Sequence, residues 1–62
     1  MNGYYSLVIE QLRAHGFAYR RQGKGSHEIW GLGHVNVVVP RNMPSRHTAN
    51  AIMKQAGVGY RF

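Results

Sequence analysis

A short glycine-rich loop that leads directly into a histidine is the part of this chain best suited to chemistry. The loop has the sequence Gly23-Lys24-Gly25-Ser26, and His27 follows it. Glycine permits sharp turns and lets a bulky ligand approach the backbone, and lysine offers a cation to a phosphate. Histidine can both accept and donate a proton near neutral pH. This combination predicts proton transfer beside a bound phosphate, the chemistry needed to cleave RNA.

Two plainer interpretations of the same residues stay open. The loop also fits an ordinary hairpin turn with a solvated lysine, and His27 also fits a partly buried histidine that only packs. A Walker A nucleotide-binding loop is excluded, because that motif needs Ser or Thr after its lysine and Gly25 follows Lys24. His15, His34 and His47 have no acid or histidine three or four residues further on, so no metal site is predicted.

The charge balance favours a polyanionic partner. The 62 residues contain 8 Lys and Arg but 2 Asp and Glu, a formal net charge of +6. A positive field of this size attracts nucleic acid, although charge alone fits a domain that binds it without specificity. The residues predicted to hold RNA are Arg20, Arg21, Lys24, Gly25, Ser26 and Arg41. Tyr19 and Trp30 lie among them and could stack bases, although Trp30 fits the core equally well.

Length and composition predict one small domain, covering residues 1–62. A core of this size leaves no room for a deep cavity, so function is expected on a surface or in a shallow groove. The chain has no cysteine, which excludes disulfides and thiolate nucleophiles. No apolar run reaches the roughly 18 residues of a membrane span, and the first residues do not resemble a signal peptide. We therefore expect a soluble, cytoplasmic protein that does not bind membranes.

Hydrophobic periodicity predicts the elements that position the loop. The predicted order is a helix over 4–15, strands over 17–22, 26–30 and 34–39, and a helix from the N-cap Ser45 to about Ala56. Tight turns make the strands an antiparallel meander, and two amphipathic helices need its one apolar face. The predicted fold is therefore an α+β two-layer sandwich with the other sheet face open. In element order it resembles the double-stranded-RNA-binding domain, and alternation places His27 on the face of Ile29.

Four segments of the sequence carry a resemblance to a known family. They are Gly16-Phe17, Arg21-Gln22-Gly23-Lys24-Gly25-Ser26-His27, Val37-Val38-Val39-Pro40 and Ile52-Met53-Lys54-Gln55-Ala56-Gly57-Val58. In order and spacing they are similar to the HicA toxin family over nearly the whole chain. Many members have a histidine or aromatic residue after the Gly-Ser-His element, where this chain has Glu28.

The resemblance implies a small ribonuclease of a bacterial toxin–antitoxin module. Such a toxin cleaves mRNA, arrests growth and is neutralised by a HicB-type antitoxin that covers its active surface. The family's catalytic histidine falls on His27, and the glycine of its motif falls on Gly25. We expect cleavage without a metal or cofactor, in which His27 acts as general base or acid on the ribose 2′-OH. Lys24 and the loop N–H groups near Gly25 and Ser26 would stabilise the charge that develops on the phosphate.

The sequence leaves the second proton carrier and the function itself open. The second proton carrier is unassigned among His34, Tyr19 and water, and His34 could lie across the hairpin from Trp30. Two other functions also fit the sequence. One is a small RNA-binding module that does not cut, and the other is an inactive toxin that only binds its antitoxin.

Overall fold

The computed structural model describes residues 3–62 and has the predicted order of one helix, three strands and a second helix. The elements are α1 (Tyr5–Ala14), β1 (Ala18–Gln22), β2 (His27–Leu32), β3 (Val35–Pro40) and α2 (Arg46–Ala56). The strands form one antiparallel sheet in the order β1-β2-β3. The α+β meander predicted from the sequence is confirmed. None of the helices formed by residues 3–62 has the length and hydropathy needed to cross a membrane.

The two helices end where their flanking residues require. The Oγ of Ser45 accepts a hydrogen bond from the backbone N–H of His47 at 3.1 Å, which confirms Ser45 as the N-cap of α2. Gly57 follows α2 in the left-handed region at φ 73°, the conformation that favours glycine there. α1 begins at Tyr5, one residue later than predicted, and Gly16 adopts φ 91° just beyond its end.

The core lies between the helices and one face of the sheet. α1 contributes Val8 and Leu12, and α2 contributes Ala49, Ile52 and Met53, as their spacing predicts. Against them lie the buried side chains of Trp30, Val37 and Val39. Because residues from both helices and the sheet form one cluster, both helices cover the same sheet face. The predicted two-layer arrangement is therefore confirmed.

Three buried residues lie outside the regular elements. Phe17 and Val58 each follow the end of a helix, and Met43 lies in the loop between β3 and α2. The backbone carbonyl of Met43 also accepts a hydrogen bond from the N–H of Tyr4 at 3.1 Å. Because β1 begins at Ala18, Phe17 precedes the strand to which its sequence pattern assigned it. Its side chain is nevertheless buried and belongs to the core cluster.

Candidate RNA-cleavage site

The loop Gly23-Lys24-Gly25-Ser26 forms a closed turn between β1 and β2. The N–H of Gly23 donates to the carbonyl of His27 at 2.9 Å, and the N–H of His27 donates to the carbonyl of Lys24 at 3.2 Å. Gly25 has φ 63°, and no other atom lies within 4 Å of where a Cβ would stand. The backbone at the tip of the turn is therefore open to a ligand.

His27 is exposed at the first position of β2, and its ring is oriented by the same turn. The Nδ1 atom lies 3.0 Å from the carbonyl oxygen of Lys24. Because a carbonyl oxygen only accepts, Nδ1 must carry a proton in this hydrogen bond. The lone pair of the neutral ring then lies on Nε2, for which residues 3–62 provide no hydrogen-bond partner. Nε2 is therefore free to take a proton from a bound molecule.

A β-bulge in β1 affects the two arginines before the loop. The register of β1 against β2 shifts between Tyr19 and Arg21, so that Arg20 has no partner on β2. Directly opposed residues share a face, and Arg21 opposes Ile29, which alternates with His27 along β2. Arg21 therefore lies on the sheet face opposite the helices, which we call the open face.

Arg20 lies on the open face as well, where its side chain is held away from His27. Its Nη1 donates to Oδ1 of Asn36 at 3.1 Å, and its Nη2 donates to the carbonyl of Gly33 at 2.9 Å. The side chain passes over Gly31, where a Cβ would collide with it. The bulge thus gives two consecutive arginines the same face, whereas simple alternation would separate them.

Arg41 is connected to the loop through its backbone and to the helix side through its side chain. Its N–H donates to the carbonyl of Ser26 at 3.1 Å. Its Nε lies 3.6 Å from Oε2 of Glu28, a residue that opposes the buried Val39 and so points towards the helices. The guanidinium is thus directed towards an acid on the face opposite to His27, although 61% of the side chain is exposed.

Besides this ion pair with Arg41, Glu28 accepts two hydrogen bonds that the sequence did not predict. Its Oε1 accepts from the hydroxyl of Tyr5 at 2.7 Å and from Nε1 of Trp30 at 3.0 Å. Partial burial alone would raise the pKa of Glu28, but these two bonds and the charge of Arg41 outweigh it and lower the pKa. The pKa of Tyr5 is raised by burial first and by the Glu28 carboxylate second. The sequence signal that could have drawn attention to Glu28 is that the chain contains only 2 acidic residues.

Neither protein group considered as the second proton carrier lies beside His27. His34 follows the far end of β2, and at about 3.3 Å per residue that end is about 17 Å from His27. The suggestion that His34 faces Trp30 is wrong, because Val37 occupies that position. Tyr19 opposes Trp30 on the helix side, with their ring centroids 6.0 Å apart.

The aromatic residues near the cations divide between core and surface. Trp30 is 3% exposed and lies under the guanidinium of Arg13, whose Cζ is 5.4 Å from the ring centroid. It therefore belongs to the core and cannot stack a base, while Tyr19 is half exposed. Within residues 3–62, no three His, Asp or Glu side chains form a group that could hold a metal ion.

The structure thus brings together Lys24, Gly25, Ser26 and His27 at one end of the sheet, with Arg21 on the same open face. Arg20 shares the open face and the backbone of Arg41 is hydrogen-bonded to Ser26, but the side chains of both arginines are held by other partners, away from His27. In comparisons with known proteins, a family model described as HicA toxin of bacterial toxin-antitoxin matches residues 5–58. No curated protein and no solved structure matches the chain.

Proposed function

The chain belongs to the HicA family of bacterial toxin–antitoxin toxins, and we propose that it is an endoribonuclease that cleaves mRNA through His27. The observation that carries this proposal is the hydrogen bond from His27 Nδ1 to the carbonyl of Lys24. It fixes the ring and leaves Nε2 as the basic atom of the neutral imidazole. A histidine with that tautomer, beside an open glycine turn and a lysine, suits a general base acting at a phosphodiester.

The proposed reaction needs no bound metal or cofactor. Nε2 of His27 takes the proton of a ribose 2′-OH, and the 2′-oxygen attacks the adjacent phosphorus. The bond from phosphorus to the 5′-oxygen breaks, and that oxygen leaves with a proton supplied by water. The products are a 2′,3′-cyclic phosphate and a 5′-hydroxyl. Water takes the second role because neither His34 nor Tyr19 lies beside His27.

The loop supplies the groups that would bind the reacting phosphate. The backbone N–H groups of Gly25 and Ser26 donate to no backbone oxygen of residues 3–62, and the side chain of Lys24 is exposed. Adjacent free N–H groups in a turn form a concave site for an anion, and the lysine adds a full charge. Arg21 would bind a neighbouring phosphate on the same face, while Arg20 and Arg41 add to the positive field.

Family membership also implies a cognate antitoxin, which we propose is a HicB-type protein that covers the open face. This face combines the half-buried Ile29 and the exposed Val38 with the cations around His27. An antitoxin bound there would need acidic groups opposite the cations. Its complex would then weaken as salt concentration rises, because salt screens exposed charges.

The chemistry of the cut ends tests the proposed reaction. Purified protein is incubated with an mRNA in excess EDTA, and the ends of the fragments are identified by enzymatic labelling and mass spectrometry. We expect 2′,3′-cyclic phosphate and 5′-hydroxyl ends. Fragments with 5′-phosphate and 3′-hydroxyl ends would contradict the mechanism, because they require attack by water instead of the 2′-oxygen.

A further inference from the structure

A cleft on the helix side of the molecule has no role in the proposed reaction. It has a volume of about 520 Å³ and lies between α2 and residues 58–62. The α2 residues that line it include His47, Asn50 and Lys54, which recur three and four residues apart and so share one helix face. This face differs from the one that buries Ile52 against the sheet. The cleft is thus separate from the open face that carries His27.

The other wall of the cleft is held in place by specific contacts. The Oδ1 of Asn50 accepts a hydrogen bond from the N–H of Phe62 at 2.7 Å, and its Nδ2 donates to the main-chain oxygen of Phe62 at 3.4 Å. The ring of Phe62 packs edge-on against Tyr4 and Tyr60, with centroid distances of 5.7 and 4.9 Å. Together with the buried Val58, these contacts anchor residues 58–62 along α2.

The groups that reach this cleft suit a phosphate and a base. Lys54 and Arg61 both line it, and the ion pair formed within residues 3–62 joins Arg41 to Glu28 instead. Two cations without carboxylate partners in a concave surface concentrate positive potential there. Tyr60 is 46% exposed and lines the same cleft, so part of its ring is available to stack a base.

We propose that this cleft is a second, non-catalytic nucleotide-binding site. Lys54 and Arg61 bind a phosphate, and the ring of Tyr60 stacks the attached base. A nucleotide within an RNA strand and a free nucleoside monophosphate share this chemistry. Choosing RNA as the natural source rests on the proposed ribonuclease function, whereas the site itself does not depend on His27. An RNA bound here contacts the protein on the side opposite the cutting site.

The test follows backbone amide signals by NMR in the His27→Asn variant, which we expect to cleave RNA much more slowly than wild type. One titration uses uridine monophosphate, and the other uses a short single-stranded oligoribonucleotide. Lys54→Gln removes a cation that lines the cleft. Arg46→Gln is the matched control, because it removes the same charge from the same helix at a residue that does not line the cleft.

We expect the oligoribonucleotide to shift amide signals over residues 47–54 and 58–62. Lys54→Gln should weaken this binding about fivefold. It should also reduce the slope of log K against log salt concentration by about 0.7, the contribution of one phosphate contact on a single strand. Arg46→Gln should cause a smaller loss of affinity.

If uridine monophosphate shifts the same amide signals, the result supports the site and shows that it accepts a free nucleotide as well as a nucleotide within RNA. Unmoved cleft signals, or equal losses in the two variants, would overturn it. Cleft shifts in His27→Asn, together with no RNA cleavage by the wild-type protein, would contradict only the proposed function.

Discussion

Replacement of Glu28 by glutamine tests the interactions that join the sheet, α1 and the loop after β3. Glu28 is one of 2 acidic residues in the chain. Glutamine retains an oxygen that can accept from Tyr5 and Trp30, but both hydrogen bonds then lose the negative charge of their acceptor. The amide nitrogen takes the place of Oε2, which lies 3.6 Å from the Nε of Arg41. A donor would then face another donor, and this ion pair would be lost.

The magnitude follows from these three contacts. A hydrogen bond to a charged group contributes about 1 kcal/mol more than a neutral one, so the two bonds together lose about 2 kcal/mol. The exposed ion pair adds about 0.5 kcal/mol, and the cheaper burial of a neutral amide offsets about 1 kcal/mol. We expect Glu28→Gln to lower the free energy of unfolding by about 1.5 kcal/mol. In a domain of this size that lowers Tm by about 6–12 °C.

The assay is thermal and urea unfolding followed by circular dichroism, with Glu10→Gln as the matched control. Glu10 is exposed and forms no ion pair within residues 3–62, so its replacement should change stability by less than about 0.5 kcal/mol. The effect of Glu28→Gln should also depend on pH. Because folding lowers the pKa of Glu28, its contribution is complete above the ordinary glutamate pKa of about 4.3 and is lost as pH falls through the lower folded value.

Two results would refute this reasoning. The first is an equal loss of stability in the Glu28→Gln and Glu10→Gln variants, which would mean that the contacts of Glu28 contribute nothing. The second is a difference between wild type and Glu28→Gln that persists unchanged at acidic pH, which would mean that the carboxylate charge is not its source.

Three further substitutions test other parts of the structure by the same unfolding assays. Ser45→Ala removes the N-cap of α2 and should cost about 1 kcal/mol, whereas Ser45→Asp should cost little. Gly31→Ala displaces the Arg20 side chain, so it should lower the free energy of unfolding by about 1 kcal/mol in wild type but not in the Arg20→Ala background. Equal effects in the two backgrounds would contradict the contact between Gly31 and Arg20. Tyr5→Phe should lower the free energy of unfolding by about 1 kcal/mol. Because folding raises the pKa of Tyr5, the neutral hydroxyl stabilises wild type, and this stability is lost as pH rises above about 10. The Tyr5→Phe variant should therefore lose less stability over that pH range.

The helices and the sheet order could be predicted from the sequence because their signals are local. The spacing of Val8 and Leu12 indicates which face of α1 is buried, and Ser45 and Gly57 mark the ends of α2 by their own backbone chemistry. The Gly23–Ser26 turn likewise follows from its glycines. These features depend on residues within a few positions of one another, and the structure agrees with them.

The arrangement of side chains around the candidate site could not be predicted in the same way. The bulge that places Arg20 and Arg21 on one face depends on how β1 pairs with β2, and simple alternation assigns them to opposite faces. The separation of His34 from His27 likewise depends on strand register. Glu28 and Tyr5 are 23 positions apart and meet only because α1 packs on the sheet. Each of these features depends on how separate segments pair or pack, and none has a local sequence signal.

The activity of histidine variants in excess EDTA tests the central proposal most directly. His27→Asn is the informative change, because the asparagine amide can still donate to the carbonyl of Lys24 but offers no basic nitrogen in place of Nε2. His34→Asn is the matched control, an exposed histidine at the far end of the sheet. We predict that His27→Asn cleaves mRNA about 10²–10⁴-fold more slowly than wild type, while His34→Asn cleaves at the wild-type rate. Equal cleavage by all three proteins would contradict catalysis by His27, and RNA binding without cleavage by any of them would indicate a binding module.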